Sequence, residues 1–126
     1  MENRSVEGGI NPEDEQLIQK FDAIMSELRP IAQRVSDTEA FGTAELGQMQ
    51  IMSQAALEVI NKMSDAERNK RADYVHNLSL IFGSCGFVME QFVSDGQINA
   101  GNDKKLFESA RRGILGDIRE FLEIKG

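Results

Sequence analysis

The chain has 126 residues, 40% of them apolar and 28% charged, the composition of a single globular domain that can bury about two-thirds of its unfolded surface without a staple. Its 14 basic and 21 acidic residues give a net charge of −7, which argues against nucleic acid or an anionic membrane as the main partner. The single cysteine, Cys85, excludes an internal disulfide; the polar first sixteen residues and the absence of an 18-residue apolar run point away from secretion and from a membrane span.

A reducing cytoplasm is therefore the expected compartment. With no Trp and 6% aromatics, Leu, Ile, Val and six Met must fill most of the core. Methionine packs adaptably, which suits an interior that repacks around a guest.

In chain order, Met1 to Ile10, with Gly8-Gly9, is expected to be a flexible leader, and residues 11–126 a single domain. Asn11 as N-cap, Pro12 at the first helical position and the acids Glu13 and Asp14 open a first helix. Its apolar face is Leu17, Ile18, Phe21, Ile24, Met25, Leu28, Ile31 and Val35, spaced by threes and fours. Pro30 falls inside that pattern and is expected to kink the helix near Ser26 to Arg29 without ending it. Ser36 to Glu45 breaks the period and reads as a connection. A second helix carries Leu46, Met49, Met52, Ala56, Val59 and Met63, after which Ser64 to Glu67 fits a capping box and a restart. A third carries Val75, Leu78, Ile81, Phe82, Cys85, Val88, Met89 and Phe92. Ser94 to Asp103 is a turn, and Asn102 or Asp103 caps a fourth helix bearing Leu106, Phe107, Ala110, Ile114, Ile118, Phe121 and Leu122.

No stretch alternates with period two, so a sheet is not expected. The fold class is all-α, an up-and-down four-helix bundle. Glycine in a helix interior costs about 1 kcal/mol against alanine. Gly83, Gly86, Gly113 and Gly116 should therefore have a use, and the expected one is close approach of another helix.

Other signals fail on their own chemistry. Setting Gly96 at the invariant turn position of an EF-hand loop puts Gln91, Val93 and Asn102 where calcium needs charged ligands. One His and one Cys make no zinc site, and Gly113 to Gly116 lies in a helical pattern unlike the strand-flanked GxxG clamp of RNA-binding folds. No cofactor or metal is expected. His76 is the one candidate for chemistry: histidine phosphotransfer domains are also four-helix bundles. The surrounding "VHNLSLIFG", however, offers Ser79 and Leu80 where that reaction needs a cation and a small residue.

Two stretches carry a family resemblance. "AIMSELRPIAQRVSD", Ala23 to Asp37, resembles the first helix of the vinculin and α-catenin family, including the internal Pro30 and the Pro-x-Ala-Gln run. "SARRGILGDIREFL", Ser109 to Leu122, resembles the helix that completes that family's first bundle, its Ser-Arg-Gly-Ile-Leu core read as Ser109, Arg111 or Arg112, Gly113, Ile114 and Leu115. "GSCGFVMEQFVSDG" is weakly similar to the third helix and its exit, and the order agrees over residues 17–124.

The resemblance implies a non-enzymatic, actin-associated cytoskeletal adaptor module, cytoplasmic and located at adherens junctions or other adhesion sites. Its partner would be an amphipathic helix of an armadillo-repeat (β-catenin-like) or talin-like protein, and homodimerisation is implied as well. Carried over to this chain, the receiving groove is lined by Phe21, Ile24, Leu28, Ile31 and Val35 on the first helix. The second contributes Leu46, Met49, Met52, Ala56 and Val59, which rest on periodicity more than on motif. The family continues its last helix into a second bundle, whereas this sequence stops at Gly126 with no Pro-rich linker or tail, so it reads either as an N-terminal fragment or as a small divergent relative, and actin binding is not carried over. The short connection between the first two helices also departs from the family.

Overall fold

Asn11 starts the first helix as its sequence position predicts. The Asn11 side-chain oxygen accepts from the Asp14 backbone N–H at 2.8 Å, Pro12 follows at the first helical position, and Glu13, Asp14 and Glu15 meet the positive end of the helix dipole. In this computed structural model, residues 11–101 and 103–124 are described; the expected leader and Asn102 lie outside them. The elements are α1 (Pro12–Thr38), α2 (Thr43–Asn61), α3 (Asp65–Lys70), α4 (Ala72–Phe92), the strands β1 (Val93–Ser94) and β2 (Gln97–Ile98), and α5 (Lys104–Glu123). The chain is mostly helical, as expected of an all-α protein.

α1 runs unbroken through Pro30, which stands on its exposed side. Pro30 has no N–H to give, so the Ser26 carbonyl loses its helical donor. The inward stripe of α1 is Phe21, Met25, Leu28, Ala32 and Val35. It meets Leu46, Met49, Ala56 and Ile60 of α2, Leu78, Ile81, Cys85 and Val88 of α4, and Ile114, Ile118 and Phe121 of α5 in one core. Each Leu, Ile, Val, Met or Phe among them stabilises the fold by about 1.5–3 kcal/mol when fully buried.

The four long helices form a ring of contacts, α1 packing on α2 and α5, and α4 packing on α2 and α5. The α1/α2 and α4/α5 seams therefore lie on opposite sides. Edge-to-face aromatic groups close both ends of the core: Phe21, Tyr74 and Phe121 at centroid spacings of 5.1 and 6.1 Å, and Phe87, Phe92 and Phe107 at 6.2 and 5.2 Å.

Four expectations are corrected. The connection after α1 is four residues, 39–42, and not ten: Ser36 to Thr38 complete a last helical turn, with the Thr38 hydroxyl donating to the Arg34 carbonyl and Glu39 ending the helix in the left-handed region at φ 56°. The restart at Ser64 is a helix of its own, α3, so Met63 sits in a turn and there are five helices among the described residues. A short antiparallel ladder pairs Val93 with Ile98 and Ser94 with Gln97, where no sheet was expected. Its turn residues, Asp95 and Gly96, have φ of 55° and 75°, the backbone that Asp-Gly favours in a tight hairpin. Finally, Val75 and Leu106, placed on inward faces by their spacing, are 37% and 42% exposed.

Candidate functional site

The ten groove residues fall into two layers. Phe21, Leu28, Val35, Leu46, Met49 and Ala56 are buried in the core, so no open groove reaches them. Ile24, Ile31, Met52 and Val59 are half-buried and pack against that core from outside. Their side of each helix follows from geometry. Glu45 reaches across to Arg34 of α1 at 3.7 Å, and Met52 and Val59 lie seven and fourteen residues beyond it on the same side of α2. On α1, Leu17 stands in a recess with Lys62, Met63 and Ser64 at the end of α2, and Ile24 and Ile31 continue its line. The α1/α2 seam is thus a closed apolar joint with a partly wetted outer row. Met52 and Met63 border it, whereas Met25 lines the recess between α1 and α4.

One flaw lies in the core behind α2. Ser53, on the inner side of α2, is wholly buried, and its hydroxyl has no hydrogen-bond partner. Such an orphan group costs about 1–3 kcal/mol.

The open end of the α1/α2 pair is fastened by charge-assisted hydrogen bonds that the sequence reading missed. The buried Asp14 carboxylate accepts from the Ser64 N–H at 3.0 Å and from the Ser64 hydroxyl at 2.5 Å, which holds its pKa below the usual aspartate value. Ser64 in turn caps α3 by accepting from the Glu67 N–H. Glu67, also buried, binds Arg71 at 2.9 Å and Lys70 at 3.2 Å, and the Arg71 hydrogen bond is the main reason its pKa is depressed. The guanidinium of Arg71 lies 5.5 Å from the Phe21 ring centre. The signal was present as two caps, Asn11 and Ser64, but nothing in their spacing shows that the helix starts meet.

A polar recess of about 690 Å³ opens between α1 and α4, with Arg29, Lys70, Arg71, Asp22 and Asp73 at its rim. Its cations are already engaged. Arg29 donates to the Tyr74 hydroxyl at 2.6 Å and the Ile124 carbonyl at 2.9 Å and stacks over Phe121, while Arg71 and Lys70 serve Glu67. Arg29 is a peg that fixes the end of α5, not an evident ligand clamp.

His76 is exposed, as a phospho-acceptor must be, but the shallow surface around it carries Asp73, Glu120 and Glu123. Three carboxylates share that surface with the imidazole, whereas phosphoryl transfer needs a nearby cation. Among the described residues, no group of three or more His, Cys, Asp and Glu side chains is placed to hold a metal ion, and no helix is long and apolar enough to cross a membrane.

The glycines are the second correction at the site. A Cβ at Gly83, Gly113 or Gly116 would meet nothing within 4 Å, so these positions do not ease contact with neighbouring helices of the same chain. Only Gly86 is close to a neighbour: a Cβ there would fall 2.9 Å from the amide nitrogen of Gln50. Gly83 and Gly113 instead floor an apolar cleft of about 280 Å³ along the α4/α5 seam, walled by Phe87 and Leu106.

No family model, no curated protein and no solved structure matches the chain.

Proposed function

We propose that this protein is a non-enzymatic interaction module, an up-and-down four-helix bundle with α3 as a corner, that accepts an amphipathic partner helix along the α1/α2 seam. The observation that carries the reading is the two-layered apolar joint: a half-exposed row of Ile24, Ile31, Met52 and Val59 lies directly over Phe21, Leu28, Val35, Leu46, Met49 and Ala56. A guest helix first covers the outer row; parting of α1 from α2 then admits it to the inner one. Four or five anchors buried in this way contribute about 1.5–3 kcal/mol each, against several kcal/mol for reorganisation and lost motion. The methionine border and the orphan hydroxyl of Ser53 both lower the cost of opening. On the resemblance of α1 and α5 to the vinculin and α-catenin family, the fitting guests are helices of armadillo-repeat or talin-like proteins at cytoplasmic adhesion sites. Phosphotransfer through His76 is the less supported alternative, because its surround is acidic.

The test is fluorescence anisotropy with synthetic helices of those two guest types, using substitutions in the outer row. Ile31→Glu and Met52→Glu change half-exposed positions and should leave the fold intact by circular dichroism while weakening binding at least about tenfold. Leu28→Asp is a poorer probe, because Leu28 is wholly buried and a charge there unfolds the core. Neither helix binding the folded wild type, or binding that ignores both substitutions, refutes the assignment.

A further inference from the structure

The α4/α5 face lies across the bundle from the seam just discussed, and its features are independent of it. Here an apolar cleft is open in the resting structure. Leu106 and Phe87 stand up from it, each 42% exposed, and Gly113, Gly83 and Ala110 leave a hollow beside them. Knob and hollow are a turn or two apart on the same helix, α5, so the surface is complementary to itself when turned end for end. We propose that this face is a dimerisation surface for a second copy of the chain, with the two α5 helices antiparallel and Leu106 of each copy seated over Gly113 of the other.

Charge supports the second copy over other occupants. With the two-fold axis passing beside Ser109 and Ala110, antiparallel pairing sets position 106 against 113 and position 112 against 107. Arg112, exposed and only 3.8 Å from Glu108 of its own chain, then falls beside Glu108 of the other copy. Lys105, exposed at the basic start of α5, comes within a turn of the other copy's Asp117. Asp117 accepts from the Ser84 hydroxyl at 2.8 Å, so its carboxylate is held against a residue that lines the cleft, and burial pushes its pKa up. The antiparallel arrangement also opposes the two helix dipoles favourably. A Cβ at Gly113 or Gly116 would meet nothing of the same chain within 4 Å, so packing within one chain does not call for glycine there; contact across a two-fold axis does, because it lets two helix backbones approach closely.

Sedimentation velocity on the full chain, from micromolar to near-millimolar concentration, tests this. The wild type should show a concentration-dependent dimer. Leu106→Glu and Gly113→Gln should each raise the dissociation constant about tenfold or more. Both sites are exposed, so the monomer should keep its helical circular dichroism. Arg112→Glu should weaken the dimer and Glu108→Arg in the same chain should restore it. A wild type that stays monomeric throughout overturns the proposal. So does a dimer that survives Leu106→Glu and Gly113→Gln, or one that is broken instead by Ile24→Glu on the opposite seam.

Discussion

Ser53→Ala should make the protein more stable, which is unusual for a substitution in a core. The Ser53 side chain is wholly buried on the inner side of α2, and its hydroxyl finds no partner. Removing the orphan group recovers about 1–3 kcal/mol of desolvation, and alanine adds about half a kcal/mol of helix propensity. Against this stands the lost packing of one oxygen, a few tenths of a kcal/mol at the contact energies of single atoms, roughly 0.1–0.2 each. The net expectation is about 1–2 kcal/mol, or a rise in melting temperature of about 3–8 °C for a domain of this size. Urea unfolding followed by circular dichroism reads it directly, as a higher midpoint with an unchanged slope. The same substitution bears on function. On the function proposed above, a guest helix that parts α1 from α2 and bares the inner side of α2 would wet Ser53, so alanine would favour the closed form and guest-helix binding should weaken about 5- to 30-fold. A lower midpoint, or no change, refutes the premise that this hydroxyl is unsatisfied.

Two further outcomes follow from buried ionisable groups. Asp14→Asn should cost about 1.5–3 kcal/mol, because the Ser64 N–H and hydroxyl lose a charged acceptor, and it should flatten the acid limb of the stability curve. The sign follows from the lowered folded pKa: the contribution of Asp14 is complete above its ordinary value of 3.8 and is lost as pH falls below that through the folded value, so wild type and variant should converge in acid. Cys85, at 0% exposure and with its thiol pushed up to about 12 by burial and then by Asp117, should be inert to a thiol-reactive dye at neutral pH and react stoichiometrically once urea unfolds the chain.

The helices were legible because their signals are local. The Asn11 cap, the threefold and fourfold spacing of α1, and the Ser64 cap each involve residues within a turn or two of one another. The hairpin was missed because its ladder is two residues long, too short to show alternation. Its one signal was Asp95-Gly96, read as a generic polar turn. The site was partly legible: spacing identified the stripe from Phe21 to Val35 but could not divide inner from outer residues, because that depends on where neighbouring helices stand. Ile24 and Leu28 are equally apolar, yet one faces the edge of the seam and the other the core. The glycines misled for the same reason. A small residue implies a close neighbour, and the sequence does not say whether that neighbour belongs to the same molecule. The Asp14–Ser64 contact spans fifty residues, and the two caps beside it carry no sign that they meet.

That last contact has a mechanical consequence. α1 and α2 are joined covalently at one end by residues 39–42 and buttoned at the other, just past the end of α2, by a single carboxylate, with the apolar joint between. Undoing the button leaves α1 hinged on the connection at its far end. On the function proposed above, parting of the pair would begin at Asp14 and travel toward Glu39, and a guest helix would engage Leu17 and Ile24 before Ile31.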